Sequence, residues 1–246
     1  MLGKLIKYEF KATARWFLPA FGVALLFGLV GLVAQVAIAG RPDWWVVIST
    51  VLYGALILAF LTFPLIMSIW HFNHDLLTDR GYLMFTLPVT AAQLLWTKVI
   101  VATVWQVLSV VVALVSTSLV AVGSDGQLPL IWRLIAESDP RSEVILLVIL
   151  IVFGVFGSVL MYFTSLAFGQ LFNKHRIAAA LGASLVLYMV THIIAVFALI
   201  TSEPINKLFT GRSDTTFLPM VALMILYNVG YFLVTRNLLT KKLNLV

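Results

Sequence analysis

Few side chains in this sequence are equipped for chemistry, and those few sit within long apolar runs. His192 is the ionisable residue nearest the middle of such a run, with Tyr188 and Thr191 close by in sequence. Ionisable groups inside a bilayer are costly and tend to mark proton or ion paths, so His192 could carry a proton. It could equally stay neutral and hydrogen bond to a neighbouring helix. Gln106 and Ser109 form a second polar patch, and Tyr227, Asn228 and Tyr231 a third. Such groups either line a substrate path or hold helices together through interhelical hydrogen bonds, and residue type does not separate the two. Gln106, Tyr188, His192, Asn228 and Tyr231 are the candidate path residues.

The familiar catalytic signatures are missing. The chain has no G-x-x-x-x-G-K-[ST] run, so it does not bind ATP in the P-loop manner, and it has no H-E-x-x-H or G-x-S-x-G. With no cysteine, disulfides, thiolate metal ligands and a cysteine nucleophile are excluded. No catalytic residue, bound cofactor or metal site is expected. The interiors of the apolar runs lack Asp, Glu, Lys and Arg, which weakens a proton- or sodium-coupled carrier.

The elements that would position these residues follow from composition. A chain of 246 residues that is 62% hydrophobic, 11% charged and has a mean hydropathy of +1.07 cannot hide its apolar surface in a soluble core. An all-α integral membrane protein is expected, one transmembrane domain over 1–246, because the alternating pattern of a membrane β-barrel is absent. Six spans are predicted at 17–39, 44–70, 99–122, 143–172, 177–201 and 216–234. Ala20, Ala24 and Gly28 give the first a small-residue face, and Pro64 is expected to kink the second. The first apolar run is too long for the core of a signal peptide. Between the third and fourth spans, Leu128, Ile131, Trp132 and Ile135 share one face of a short expected outer helix.

The net charge of +6 is a topology signal, not a sign of nucleic-acid binding. With the N-terminus inside, the inner segments hold Lys4, Lys7, Lys11, Arg15, Arg80, Lys98, Lys174, Arg176, Arg236, Lys241 and Lys242. Only Glu9, Asp75 and Asp79 oppose them there. Both termini are therefore expected in the cytoplasm. Residues 1–15 place those first four basic residues on one face, with Leu2, Leu5, Ile6, Phe10 and Trp16 broadly opposite. That pattern predicts an amphipathic helix in the inner interface, its lysines towards anionic headgroups. Glu9 projects from the apolar side. It either snorkels to the surface or bridges to a cytoplasmic loop, where Arg80 is the first candidate.

The one long inner insert, 71–98, lies between the second and third spans. Thr78 to Gly81 make a turn with Asp79 as a helix cap, and 82–87 is a short apolar helix stopped by Pro88. Thr90 and Gln93 have the spacing of a capping box and predict a new helix start. An apolar helix pinned between two turns either folds back on its own bundle or docks on a soluble partner.

Two stretches, "KLIKYEFK" at 4–11 and "DRGYLMFTLPVTAAQLLWTK" at 79–98, together resemble the membrane subunits of type-2 ATP-binding-cassette (ABC) exporters. Asp79, Gly81, Leu83, Leu87, Pro88, Thr90 and Lys98 fit that pattern. The resemblance implies a connecting helix over 1–15 and a coupling helix within a cytoplasmic segment at 73–98. Asp79, Arg80, Gly81, Tyr82, Leu83, Met84, Phe85 and Leu87 would then dock on a separate ATPase subunit, with Lys174 and Arg176 as a smaller contact and Glu9 as the connecting-helix bridge. It further implies a permease that exports an amphipathic or apolar substrate and pairs with a second permease subunit in a bacterial plasma membrane. ATP and Mg would be bound by the partner. The short, charged loop at 202–215 departs from members with re-entrant outer helices. A non-transporting membrane sensor or assembly partner with the same layout is the alternative.

Overall fold

The structure, a computed structural model, describes residues 2–38, 43–76, 90–125, 141–172, 175–210 and 217–242. Among the described residues there are six long helices and no strand: α1 (Leu2–Ile38), α2 (Asp43–Leu76), α3 (Ala91–Asp125), α4 (Arg141–Gly169), α5 (Arg176–Thr210) and α6 (Phe217–Asn237). A π-helical turn, Leu238–Lys242, follows α6. All six are long and apolar enough to cross a membrane, and the chain is a multi-span, all-helical membrane protein. At 1.5 Å per residue the 37 residues of α1 extend about 55 Å, well beyond a hydrocarbon core of about 30 Å.

Three boundaries differ from those read in the sequence. No break separates residues 1–15 from the first span, since one helix runs unbroken from Leu2 through Pro19 to Ile38. Polarity changes near Trp16, but the residues on both sides are compatible with helix, and backbone continuity does not depend on hydropathy. α2 continues past Trp70 to Leu76. α5 likewise runs on through 202–210, the first part of the expected outer loop.

Residues 2–68 and 101–149 form one compact unit. Its core is aromatic: Phe17, Phe21, Val101 and Trp105 are buried, with Ile6, Phe10 and Ala14 of α1 and Phe60, Phe63 and Met67 of α2 packed on them. The Phe17 ring stacks on Trp105 with centroids 4.8 Å apart and planes 6° from parallel. Ile6 and Phe10, expected to face lipid, are thus taken up by protein. Further along α1, Gly28 allows close approach to α3, since a Cβ there would lie 2.5 Å from Ser116 Oγ and 3.0 Å from Ser116 Cα. The Ser116 hydroxyl donates to the Ala24 carbonyl at 3.0 Å, and Tyr53 Oη lies 2.7 Å from it. Ala24 and Gly28 therefore make the close helix contact their spacing predicts.

Residues 69–100 and 150–246 form the second unit. Phe72 of α2 stacks on Phe163 of α4 at 4.0 Å. Trp96 of α3 lies against Phe156 of α4 and Phe232 of α6. Leu94, Leu95, Thr97, Lys98 and Val99 are all buried. Consecutive helical residues point in different directions, so this part of α3 is enclosed on most sides, with Trp96 left exposed at the edge. Gly169 closes α4, and a Cβ there would strike Ala180 and the Arg176 carbonyl at 2.7 Å, so α5 can begin directly against it.

Candidate functional site

The start of α3 is built as the sequence predicts. Thr90 N–H donates to Gln93 Oε1 at 3.0 Å, and Gln93 N–H donates back to Thr90 Oγ1 at 3.3 Å. This reciprocal cap satisfies the Thr90 N–H and gives the Gln93 N–H, which also donates to the Thr90 carbonyl at 2.9 Å, a second acceptor. Two turns further on, the Lys98 ammonium donates to Asp75 Oδ2, joining the start of α3 to the last turn of α2. The lysine side chain is only 5% exposed and the aspartate 22%. His74 Nδ1 lies 3.4 Å from Asp75 Oδ1, and its ring stacks on Trp70 at 5.0 Å. The two helix ends that flank residues 77–89 are therefore locked in register by a largely buried ion pair. Asp75 was not singled out as a site residue by sequence reasoning. The signal available was its charge, opposite to that of Lys98, at the other end of the same insert.

Asp79, Arg80, Gly81, Tyr82, Leu83, Met84, Phe85 and Leu87 lie outside the described residues, as does Lys174. Leu128, Ile131, Trp132 and Ile135 do so too, as do Arg212 and Asp214. Arg176 is the first residue of α5. Glu9 is half-buried on α1, and its carbonyl accepts from Thr13 Oγ1 at 2.8 Å.

The candidate path residues divide by what they touch. Tyr231 and Asn228 are joints between helices. Tyr231 Oη lies 2.5 Å from Thr191 Oγ1, tying α6 to α5. Its carbonyl accepts from Thr235 at 2.8 Å and from Thr164 of α4 at 3.3 Å, and the two threonine hydroxyls are 2.7 Å apart. Asn228 Nδ2 donates to the Phe153 carbonyl at 3.3 Å. Gly157 makes room for this joint, because a Cβ there would meet Asn228 Oδ1 at 2.6 Å and the Tyr227 ring at 2.9 Å. Asn228 Oδ1 is buried with no partner among the described residues.

Gln106, in the other unit, is also a joint. Its Nε2 donates to the Leu61 carbonyl of α2 at 3.0 Å. Pro64 has no N–H, so the Phe60 carbonyl, next to Leu61, is the one that loses its helical donor. Beside it, Trp105 Nε1 donates to Thr13 Oγ1 at 2.8 Å in the aromatic core, fixing α3 to α1. Thr13, Thr164 and Thr235 drew no attention in the sequence, since a threonine in an apolar run looks the same whether or not it has a partner.

Tyr188 and His192 differ from these. Both are exposed on α5, their rings 3.9 Å apart, with His192 Nδ1 2.9 Å from the Tyr188 carbonyl. The patch around Tyr188 and Thr191 is thus divided, Thr191 pairing with α6 and Tyr188 with His192. Among the described residues no cluster of three or more His, Asp or Glu is placed to hold a metal ion. No family model matches the chain, and no curated protein or solved structure matches it either.

Proposed function

We propose that this chain is the permease subunit of an ABC exporter, coupled through residues 77–89 to ATP hydrolysis in a separate subunit. The observation that carries the reading is the construction at the start of α3. A capped helix end, an ion pair to α2 and the burial of Leu94, Leu95, Thr97, Lys98 and Val99 make it a rigid shaft. A push delivered to the 77–89 segment would pass through Thr90 into α3 without being absorbed by a flexible joint. Of the six candidate spans, α3 has the largest buried share, so its movement would be felt by the helices packed on it. Export then consists of two arrangements of the helices, biased differently by the nucleotide state of the partner.

In this reading Asp79, Arg80 and Gly81 set the entry turn, and Tyr82, Leu83, Met84, Phe85 and Leu87 fill an apolar socket on the ATPase. ATP and Mg are bound there, not on this chain. A second permease subunit completes the translocation path in a plasma membrane, with both termini in the cytoplasm. Gln106, Asn228 and Tyr231 serve as joints within the permease, which leaves the exposed Tyr188 and His192 as the polar groups available to line a path.

The test is association. The chain purified from its own membranes should carry an ATP-hydrolysing subunit, and Tyr82→Asp or Phe85→Asp should release it. An unpaired carboxylate in an apolar socket costs at least about 2 kcal/mol. Full retention of the ATPase by both variants would remove the docking claim.

A further inference from the structure

α1 carries a second surface that the transporter reading does not use. Lys4, Lys7, Lys11 and Arg15 are all exposed and follow one another at steps of three or four residues, so they form one stripe along the helix. The opposite side is committed, because Ile6, Phe10, Ala14 and Phe17 belong to the aromatic core around Trp105. Glu9 lies off the stripe, one turn before Thr13. The same stripe continues at steps of three or four through Leu18, Gly22, Leu26, Leu29 and Val33, all exposed and all uncharged. Trp16, 48% exposed, marks the border between the basic and apolar parts. One helix face thus presents four cations and then an unbroken apolar wall, in the order in which a bilayer presents headgroups and acyl chains.

We propose that Lys4, Lys7, Lys11 and Arg15 form a binding surface for the headgroups of anionic phospholipids in the leaflet where α1 begins. The acyl chains lie along Leu18, Leu26 and Leu29. A soluble anion would use the charges but gain nothing from that apolar continuation, which is why the occupant is a lipid. Since the apolar side of residues 6–17 is held by α2 and α3, the stripe is presented by a fixed helix and gathers anionic lipid around it. The proposal does not depend on the ABC reading.

The chain has no cysteine, so Tyr8→Cys, at a position 70% exposed beside the stripe, gives a single labelling site. The full chain, bimane-labelled there, is reconstituted in phosphatidylcholine vesicles containing headgroup nitroxide on either phosphatidylglycerol or phosphatidylcholine at equal mole fraction. Quenching by the phosphatidylglycerol quencher is expected to exceed that by phosphatidylcholine by at least about threefold at low salt. It should fall to parity when Lys4, Lys7, Lys11 and Arg15 are all changed to Gln. The Lys4→Arg, Lys7→Arg, Lys11→Arg triple variant keeps the charge and should keep the preference, which separates loss of charge from loss of fold. Equal quenching by the two lipids in the labelled chain overturns the proposal, as does a preference that survives the Gln variant. A preference abolished by inorganic phosphate, but not by chloride at equal ionic strength, also overturns it and makes the stripe a free-phosphate site.

Discussion

Lys98 reaches back across the base of residues 77–89 to Asp75, so that the last turn of α2 and the third turn of α3 are joined by a largely buried ion pair. A pair of this kind contributes little net stability, because both charges give up water to form it. Its value lies in geometry. It holds two helix ends in one register.

Removing one partner should be far worse than removing both. Asp75→Asn takes the carboxylate from an ammonium that is 5% exposed and is expected to cost about 3 kcal/mol. The Asp75→Leu, Lys98→Met double variant should lie much closer to the parent. Unfolding in a denaturing-detergent titration measures both. Equal losses in the two variants would contradict the buried-pair account.

The cap at Thr90 is a separate, smaller contribution. Thr90→Ala removes one of the two acceptors for Gln93 N–H, leaving the Thr90 carbonyl, and should destabilise the first turn of α3 by roughly 1 kcal/mol. Hydrogen exchange would register this as about fivefold faster exchange at residues 92 and 93, with the middle of α3 unaffected.

Glycines along α1 should not be equivalent. Gly28→Ala drives a methyl group against Ser116, whose backbone Cα would lie 3.0 Å away, and should cost about 1–3 kcal/mol. Gly22→Ala meets nothing within 4 Å and should be neutral or stabilising by up to roughly 1 kcal/mol. Melting temperatures of the two variants in detergent give the comparison directly.

Much of this architecture was legible in the sequence, for identifiable reasons. Six helices follow from hydropathy, because a bilayer admits few backbone arrangements and the apolar runs have the length of a span. The α3 cap follows from Thr90 and Gln93, which satisfy it locally. What depended on a partner was not legible. Asn228, Tyr231 and Gln106 suit a path or a joint equally well until Phe153, Thr191 and Leu61 are seen beside them. The run of α2 to Leu76 was hidden because His71, Asn73, His74 and Asp75 look like the start of a loop, although Phe72 stacks on Phe163. Residues 79–87, which the proposed function assigns to docking, lie outside the described residues.

The aromatic core should report on α1. Trp105→Phe keeps a ring against Phe17 but removes the hydrogen bond to Thr13, at a cost of about 1 kcal/mol, whereas Trp105→Ala should cost about 3–5 kcal/mol. Near-ultraviolet circular dichroism and thermal unfolding would rank the two. A Trp105→Ala protein as stable as Trp105→Phe would mean that the stacking of Phe17 on Trp105 contributes nothing.

Hydrogen exchange across residues 77–98, measured in the proposed complex with an ATPase subunit, puts the coupling idea to its most direct test. Comparing the nucleotide-free complex with the vanadate-trapped one, exchange is expected to change at 77–89 and at the start of α3, and to stop changing in Phe85→Asp. Identical exchange in both nucleotide states, in a complex that still turns over ATP, would contradict the coupling of this segment to hydrolysis.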